Sequence, residues 1–107
     1  MKLLNHKFKG STITYYFENE VELIVGNWGN GAKYWYQNGK LHRLDGPAIE
    51  YPNGTKYWYQ NGKLHRTDGP AYEQPDGGIK QWFIEGKHYS EQAFNQRLKE
   101  LADLNQT

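Results

Sequence analysis

His42, Arg43 and Asp45 lie within four positions of one another, and His65, Arg66 and Asp68 repeat the set 23 residues on. A histidine beside a carboxylate is the pairing used in general acid–base catalysis, where the carboxylate orients the ring and the ring moves the proton. The duplication weighs against that use. The ten letters YWYQNGKLHR stand at 34–43 and again at 57–66. A catalytic constellation works as a single copy, whereas a unit that buries its face against an identical neighbour needs every copy. No Ser or Thr nucleophile accompanies both sets, since Thr67 stands where Leu44 stood. The expectation is structural and the chain is not expected to be an enzyme. His42 and His65 should pack on Trp35 and Trp58, Arg43 and Arg66 should lie along tyrosine rings, and Asp45 and Asp68 should bond their own turns.

Metal chemistry fares no better. The histidines are His6, His42, His65 and His88, the last three spaced by 23. An extra Gly in the third copy puts His88 in register with Leu64, so it should face away from His65. Two histidines one repeat apart lack a third ligand. There is no cysteine, hence no thiolate site and no disulfide. The glycines sit in Asn-Gly and Asp-Gly turns rather than between a strand and a helix, so no nucleotide loop is expected. No metal and no cofactor is implied.

The aromatic residues are the better functional set. Tyr34, Tyr36, Tyr57 and Tyr59, with Arg43 and Arg66, have the composition of a protein-interface hot spot. Aromatic platforms also stack sugars, bases and cations, so a small-ligand binder is the alternative reading. Composition restricts the partner. The formal net charge is +1, and only 36% of residues are hydrophobic while 16% are aromatic. A nucleic-acid binder carries a basic excess or stripe, and none is seen here. No apolar run approaches the ~20 residues of a membrane span. MKLLNHKFKG at the start lacks the apolar stretch of a secretory signal, which points to the cytosol.

These residues need a scaffold, and the repeat describes one. Trp35 and Trp58 are 23 apart and Trp82 follows 24 later. Asn30-Gly31, Asn53-Gly54 and Asp76-Gly77 align as one turn of the unit; Asn38-Gly39, Asn61-Gly62 and Glu85-Gly86 align as the other. Asn-Gly between β-prone aromatic runs marks a hairpin with positive φ at both central residues. The unit reads strand, turn, strand, turn: AIEY, PNG, TKYWYQ, NG, KLHR. A two-residue turn at Asn38-Gly39 would pair Tyr36 with Leu41, Trp35 with His42 and Tyr34 with Arg43, putting Trp and His on one face and Tyr and Arg on the other. STITYYF (11–17) and EVELIVG (20–26) add two strands, the second with Val21, Leu23 and Val25 on one side. Residues 2–8 add an edge strand, through which two copies could pair as a homodimer. Ser90 caps a helix from about Glu91 to Leu104, with Phe94, Leu98, Leu101 and Ala102 at helical spacing. The expected fold is mainly β: tandem antiparallel hairpins forming one twisted sheet with a C-terminal helix. It is one domain over 1–107, with N-terminal strands in 1–27, three repeats in 28–89 and the capping helix in 90–104.

Trp35, Asn38, Gly39, Lys40 and His42, and again Trp58, Asn61, Gly62, Lys63 and His65, resemble the MORN repeat. MORN repeats continue H-G-x-G, whereas this chain has HRLDGPA and HRTDGPA at 42–48 and 65–71. That variant is similar to a repeat of small bacteriophage, large-virus and bacterial proteins. The resemblance covers roughly residues 28–100. It implies an array of hairpins used for contact, with Trp35, His42, Asp45, Trp58, His65, Asp68 and Trp82 as its structural positions. It also implies a non-catalytic module that binds another protein, such as a phage-encoded inhibitor of a host defence protein acting in the host cytoplasm.

Overall fold

Residues with positive φ set the corners. Asn38 and Gly39 have φ of 53° and 78°, Asn61 and Gly62 of 53° and 79°, and Glu85 and Gly86 of 49° and 83°. This is the backbone of a two-residue hairpin turn whose twist matches that of the strands it joins. The computed structural model describes residues 1–26 and 31–104. Its strands are β1 (Leu3–Lys9), β2 (Thr12–Phe17), β3 (Val21–Gly26), β4 (Lys33–Gln37), β5 (Lys40–Leu41) and β6 (Ile49–Glu50), then β7 (Lys56–Tyr57), β8 (Tyr59–Gln60), β9 (Lys63–Leu64), β10 (Tyr72–Glu73), β11 (Lys80–Ile84) and β12 (Lys87–Tyr89). Helix α1 follows over Glu91–Leu104. The main sheet runs β1-β2-β3-β4-β6-β7-β10-β11-β12, with β5 paired to β4 and the β8–β9 hairpin beside it. All pairing is antiparallel. The mainly β hairpin array with one C-terminal helix is the architecture expected from the repeat.

Four local expectations are corrected. β5 leaves β4 after Leu41, so Tyr34 lies opposite Ile49 rather than Arg43. The run TKYWYQ is not one strand, because it breaks at Trp58 between β7 and β8. The turns at Asn53-Gly54 and Asp76-Gly77 are not alike. In the first only Gly54 has positive φ, and its N–H donates to Tyr51 O at 2.9 Å. In the second both Asp76 and Gly77 do, and the inserted Gly78 closes the turn onto Pro75 O at 3.1 Å. Asn30, placed in the matching first turn, lies outside the described residues. Asn19 and Glu20 also have positive φ, so Glu20 belongs to the turn and the strand begins at Val21.

Alanines hold the units together. Ala48 accepts from Trp35 N at 2.7 Å and donates to Tyr57 O at 2.8 Å; Ala71 accepts from Trp58 N at 2.7 Å and donates to Gln81 O at 2.9 Å. Both are 0% exposed. Each GPA segment is thus a backbone bridge between neighbouring units, with no room for a larger side chain. At the far end α1 packs on β11 and β12. Ser90 Oγ accepts the Ala93 N–H at 3.1 Å, capping the helix as expected. Among the described residues no helix is long and apolar enough to cross a membrane.

Candidate functional site

Register sorts the aromatic residues onto two faces. Tyr15, Leu23 and Trp35 face one another across β2, β3 and β4, and Phe17 stacks on Trp35 with ring centroids 5.8 Å apart. Trp58 and Trp82 share this side by alternation. A row of alternating charge crosses it: Lys33, Glu50, Lys56, Glu73 and Lys80 are successive partners from β4 to β11. Opposite charges directly across from each other stabilise an antiparallel pair.

The arginines belong to this side, not to the tyrosine side. The Arg43 guanidinium lies 4.8 Å from the Trp35 ring and that of Arg66 lies 3.8 Å from Trp58. Arg43 Nε donates to Asp45 Oδ1 at 3.0 Å, and its Nη1 donates to Pro47 O at 3.2 Å and Glu50 Oε1 at 3.1 Å. Arg66 repeats this with Asp68 at 2.7 Å and Pro70 O at 3.1 Å, and its Nη1 is 3.7 Å from Glu73 Oε2. The fork thus folds the R-x-D-G-P loop back over the tryptophan, using both the planar charge and the ring face. The glycine of the motif leaves space for it. A Cβ on Gly46 would sit 3.0 Å from Arg43 Cζ, and one on Gly69 2.9 Å from Arg66 Cζ. The hydrogen bond from Arg66 holds the Asp68 carboxyl below its usual range, outweighing the desolvation that pushes it up.

The histidines join one unit to the next. His42 N donates to Trp35 O at 3.1 Å, and His42 Nδ1 accepts the Asn61 N–H at 2.9 Å. His65 does the same with Trp58 O at 3.0 Å and with the Glu85 N–H at 2.9 Å. Each ring satisfies an otherwise orphaned turn amide of the following unit. His88 lies on Phe83 with centroids 5.0 Å apart, on the side away from Trp82. Among the described residues no three His, Cys, Asp or Glu side chains gather closely enough to hold a metal ion.

The opposite face is a tyrosine stripe. Tyr34, Ile49, Tyr57 and Tyr72 are consecutive partners across β4, β6, β7 and β10. Tyr51 joins them edge-on, 6.3 Å from Tyr34 and 6.0 Å from Tyr57; Tyr57 lies 4.7 Å from Tyr72 and 6.4 Å from Tyr59. Tyr36 extends the row beside Leu41. Every one of these rings is half-buried and none is closed off. Alternation places no Lys, Arg, Asp or Glu on this side of β4, β6, β7 or β10. Burial raises the hydroxyl pKa of Tyr34, Tyr57 and Tyr59. The contact with Tyr51 adds to it at Tyr34 and Tyr59, and Tyr72 followed by Tyr51 adds to it at Tyr57.

The structure therefore gathers four of the six residues expected to contact a partner, Tyr34, Tyr36, Tyr57 and Tyr59, and sends Arg43 and Arg66 to the other side. It adds Tyr51 and Tyr72, which the decapeptide does not contain. The alternation of AIEY, with Ile49 and Tyr51 on one side, carried that signal for Tyr51. Trp82 has no following Arg. Instead Phe94 and Leu98 of α1 line a hollow with Trp82 and with the Thr67–Pro70 loop, and Phe94 is 3% exposed. The helix takes the place of the missing third clamp. No protein-family model, curated protein or solved structure matches the chain.

Proposed function

We propose that the chain is a non-catalytic module that binds another protein through its tyrosine face. The observation that carries this reading is the division of labour between the two faces. The His, Arg and Asp residues that resemble catalytic machinery are each engaged, in both copies, in the same contacts with Trp, loop and turn. The tyrosines opposite form a continuous, partly open stripe, with no Lys, Arg, Asp or Glu on that side of β4, β6, β7 or β10 and with Glu22 of β3 beside Tyr36 at its end. Tyrosine gives large contact area with little rotamer entropy to lose, and its hydroxyl finds partners in a neighbouring surface. The absence of Lys and Arg from this stripe disfavours a phosphate backbone as the ligand. The finer reading, a phage-encoded inhibitor of a host defence protein, rests on the resemblance of the repeat.

Affinity capture with the tagged chain tests this, run in parallel with Tyr36→Ala, Tyr59→Ala and, from the charged face, Lys56→Ala. A protein retained by the parent and by Lys56→Ala, but lost from the tyrosine variants at unchanged melting temperature, supports the proposal. Loss with Lys56→Ala alone would refute it. So would a nucleotide or sugar that raises the melting temperature while no protein is retained, since a ligand bound to the folded state alone stabilises it.

A further inference from the structure

Strands β1 to β3 form an amphipathic sheet whose apolar side no other strand or helix covers among the described residues. Register puts Phe8, Ile13, Phe17, Val21, Leu23 and Val25 together on the Trp35 side. His6 and Tyr15 complete that side, 6.0 Å apart. Within β1–β3 it holds no Lys, Arg, Asp or Glu, because Lys7, Lys9 and Glu22 all take the other side by alternation; Lys33 of β4 borders it beside Val25. In the repeats the corresponding face is closed by R-x-D-G-P loops, and beyond them by α1 on β11 and β12. No such motif precedes β3, and the helix sits at the opposite end of the strand order. Phe8 is left 70% exposed.

The size of the molecule measures what is missing. The chain exposes 7323 Å², against about 6,200 Å² for a folded monomer of its 12.6 kDa mass. Its radius of gyration is 15.8 Å, where a globular chain of this length has about 13 Å. The excess, about 1,100 Å², is spread over a sheet that, α1 aside, has no second layer on either face among the described residues, and is of the order of the ~800 Å² that each partner contributes to a stable interface of standard size.

We propose that a second copy of the chain covers this face, so that two β1–β3 sheets pack together about a two-fold axis. Each then supplies the second layer that a sheet with one apolar side requires. A two-fold axis sets the patch against itself, and an uncharged patch meets itself without like-charge repulsion. The outer edge of β1 is the poorer meeting surface. Lys2, Lys7 and Lys9 flank it and a bulge interrupts it between Leu3 and Asn5, both of which oppose strand-to-strand pairing. The dimer carries two tyrosine faces, which gives bivalent capture of a multivalent partner.

Sedimentation equilibrium of the full chain is the test. The parent should show twice the 12.6 kDa chain mass. Phe8→Glu, at an exposed position, should halve that mass while keeping the circular dichroism and cooperative melting of the parent; Phe8→Ser is the second variant should the charge disturb β1. Lys7→Glu, on the other side of the same strand, should remain dimeric. A parent that stays monomeric at every concentration overturns the proposal. So does a dimer that survives both Phe8 variants, or one that Lys7→Glu disrupts equally. A monomer that still binds its partner through the tyrosines would leave the proposed function standing.

Discussion

At the scale of single residues, the duplicated letters H-R-x-D-G describe a clamp whose parts explain one another. Arg66 stacks on Trp58, Asp68 and Pro70 hold the guanidinium, and Gly69 is small because the guanidinium lies against it. That these residues recur as one unit was legible in the sequence, but the direction of their side chains was not. A hairpin continued past Leu41 puts Arg43 beside Tyr34. The chain instead leaves the strand there, and Arg43 N donates to Tyr59 O of the next unit at 3.1 Å. The tyrosines yield a prediction with a definite sign. Burial raises the pKa of Tyr34, Tyr57 and Tyr59 above the ordinary tyrosine value of about 10, so the fold favours their neutral forms. The stability they contribute is fully present below the unfolded value and is lost as pH rises through the folded one. Thermal unfolding followed from neutral pH to about pH 11 should show stability falling at the alkaline end, and Tyr57→Phe should lessen that fall. An alkaline limb unchanged by Tyr57→Phe would mean that the ring is not shielded.

At the scale of elements, the turns and the helix were the most legible. Asn38-Gly39 and Asn61-Gly62 adopt the positive φ pair their chemistry requires, and the cap at Ser90 starts the helix where expected. The two upstream turns were less legible, because one inserted residue, Gly78, changes the turn type without changing its Asx-Gly letters. The break at Trp58 was hidden for a different reason. Where the backbone must serve Ala71 on one side and His65 on the other, tertiary pairing overrides a β-prone run. The helix replaces a clamp, and this can be measured. Phe94→Ala removes its one buried ring and should cost about 3 kcal/mol or more in denaturant unfolding, with the tryptophan emission shifted to the red as Trp82 is uncovered. Ser90→Ala should cost about 1 kcal/mol. A neutral Phe94→Ala would show that the helix does not cap the array.

At the scale of the whole molecule, the chain is a short one-dimensional stack, each unit touching its neighbours through an alanine bridge, a histidine-to-turn bond and a shared sheet. The helix packs on β11 and β12 at one end, and among the described residues no such element packs on β1–β3 at the other. Such a stack gives equivalent positions equivalent energies, because each unit meets the same neighbour. That equivalence carries the proposal that the histidines, arginines and aspartates are structural and that the tyrosine face binds. The most direct measurement is the unfolding free energy of Arg43→Ala beside that of Arg66→Ala. The clamp predicts the same loss for both, about 2 kcal/mol each, from a ring-stacked charge and its charge-assisted hydrogen bonds. A large loss at one position with none at the other would contradict it, as would unchanged stability at both with binding abolished.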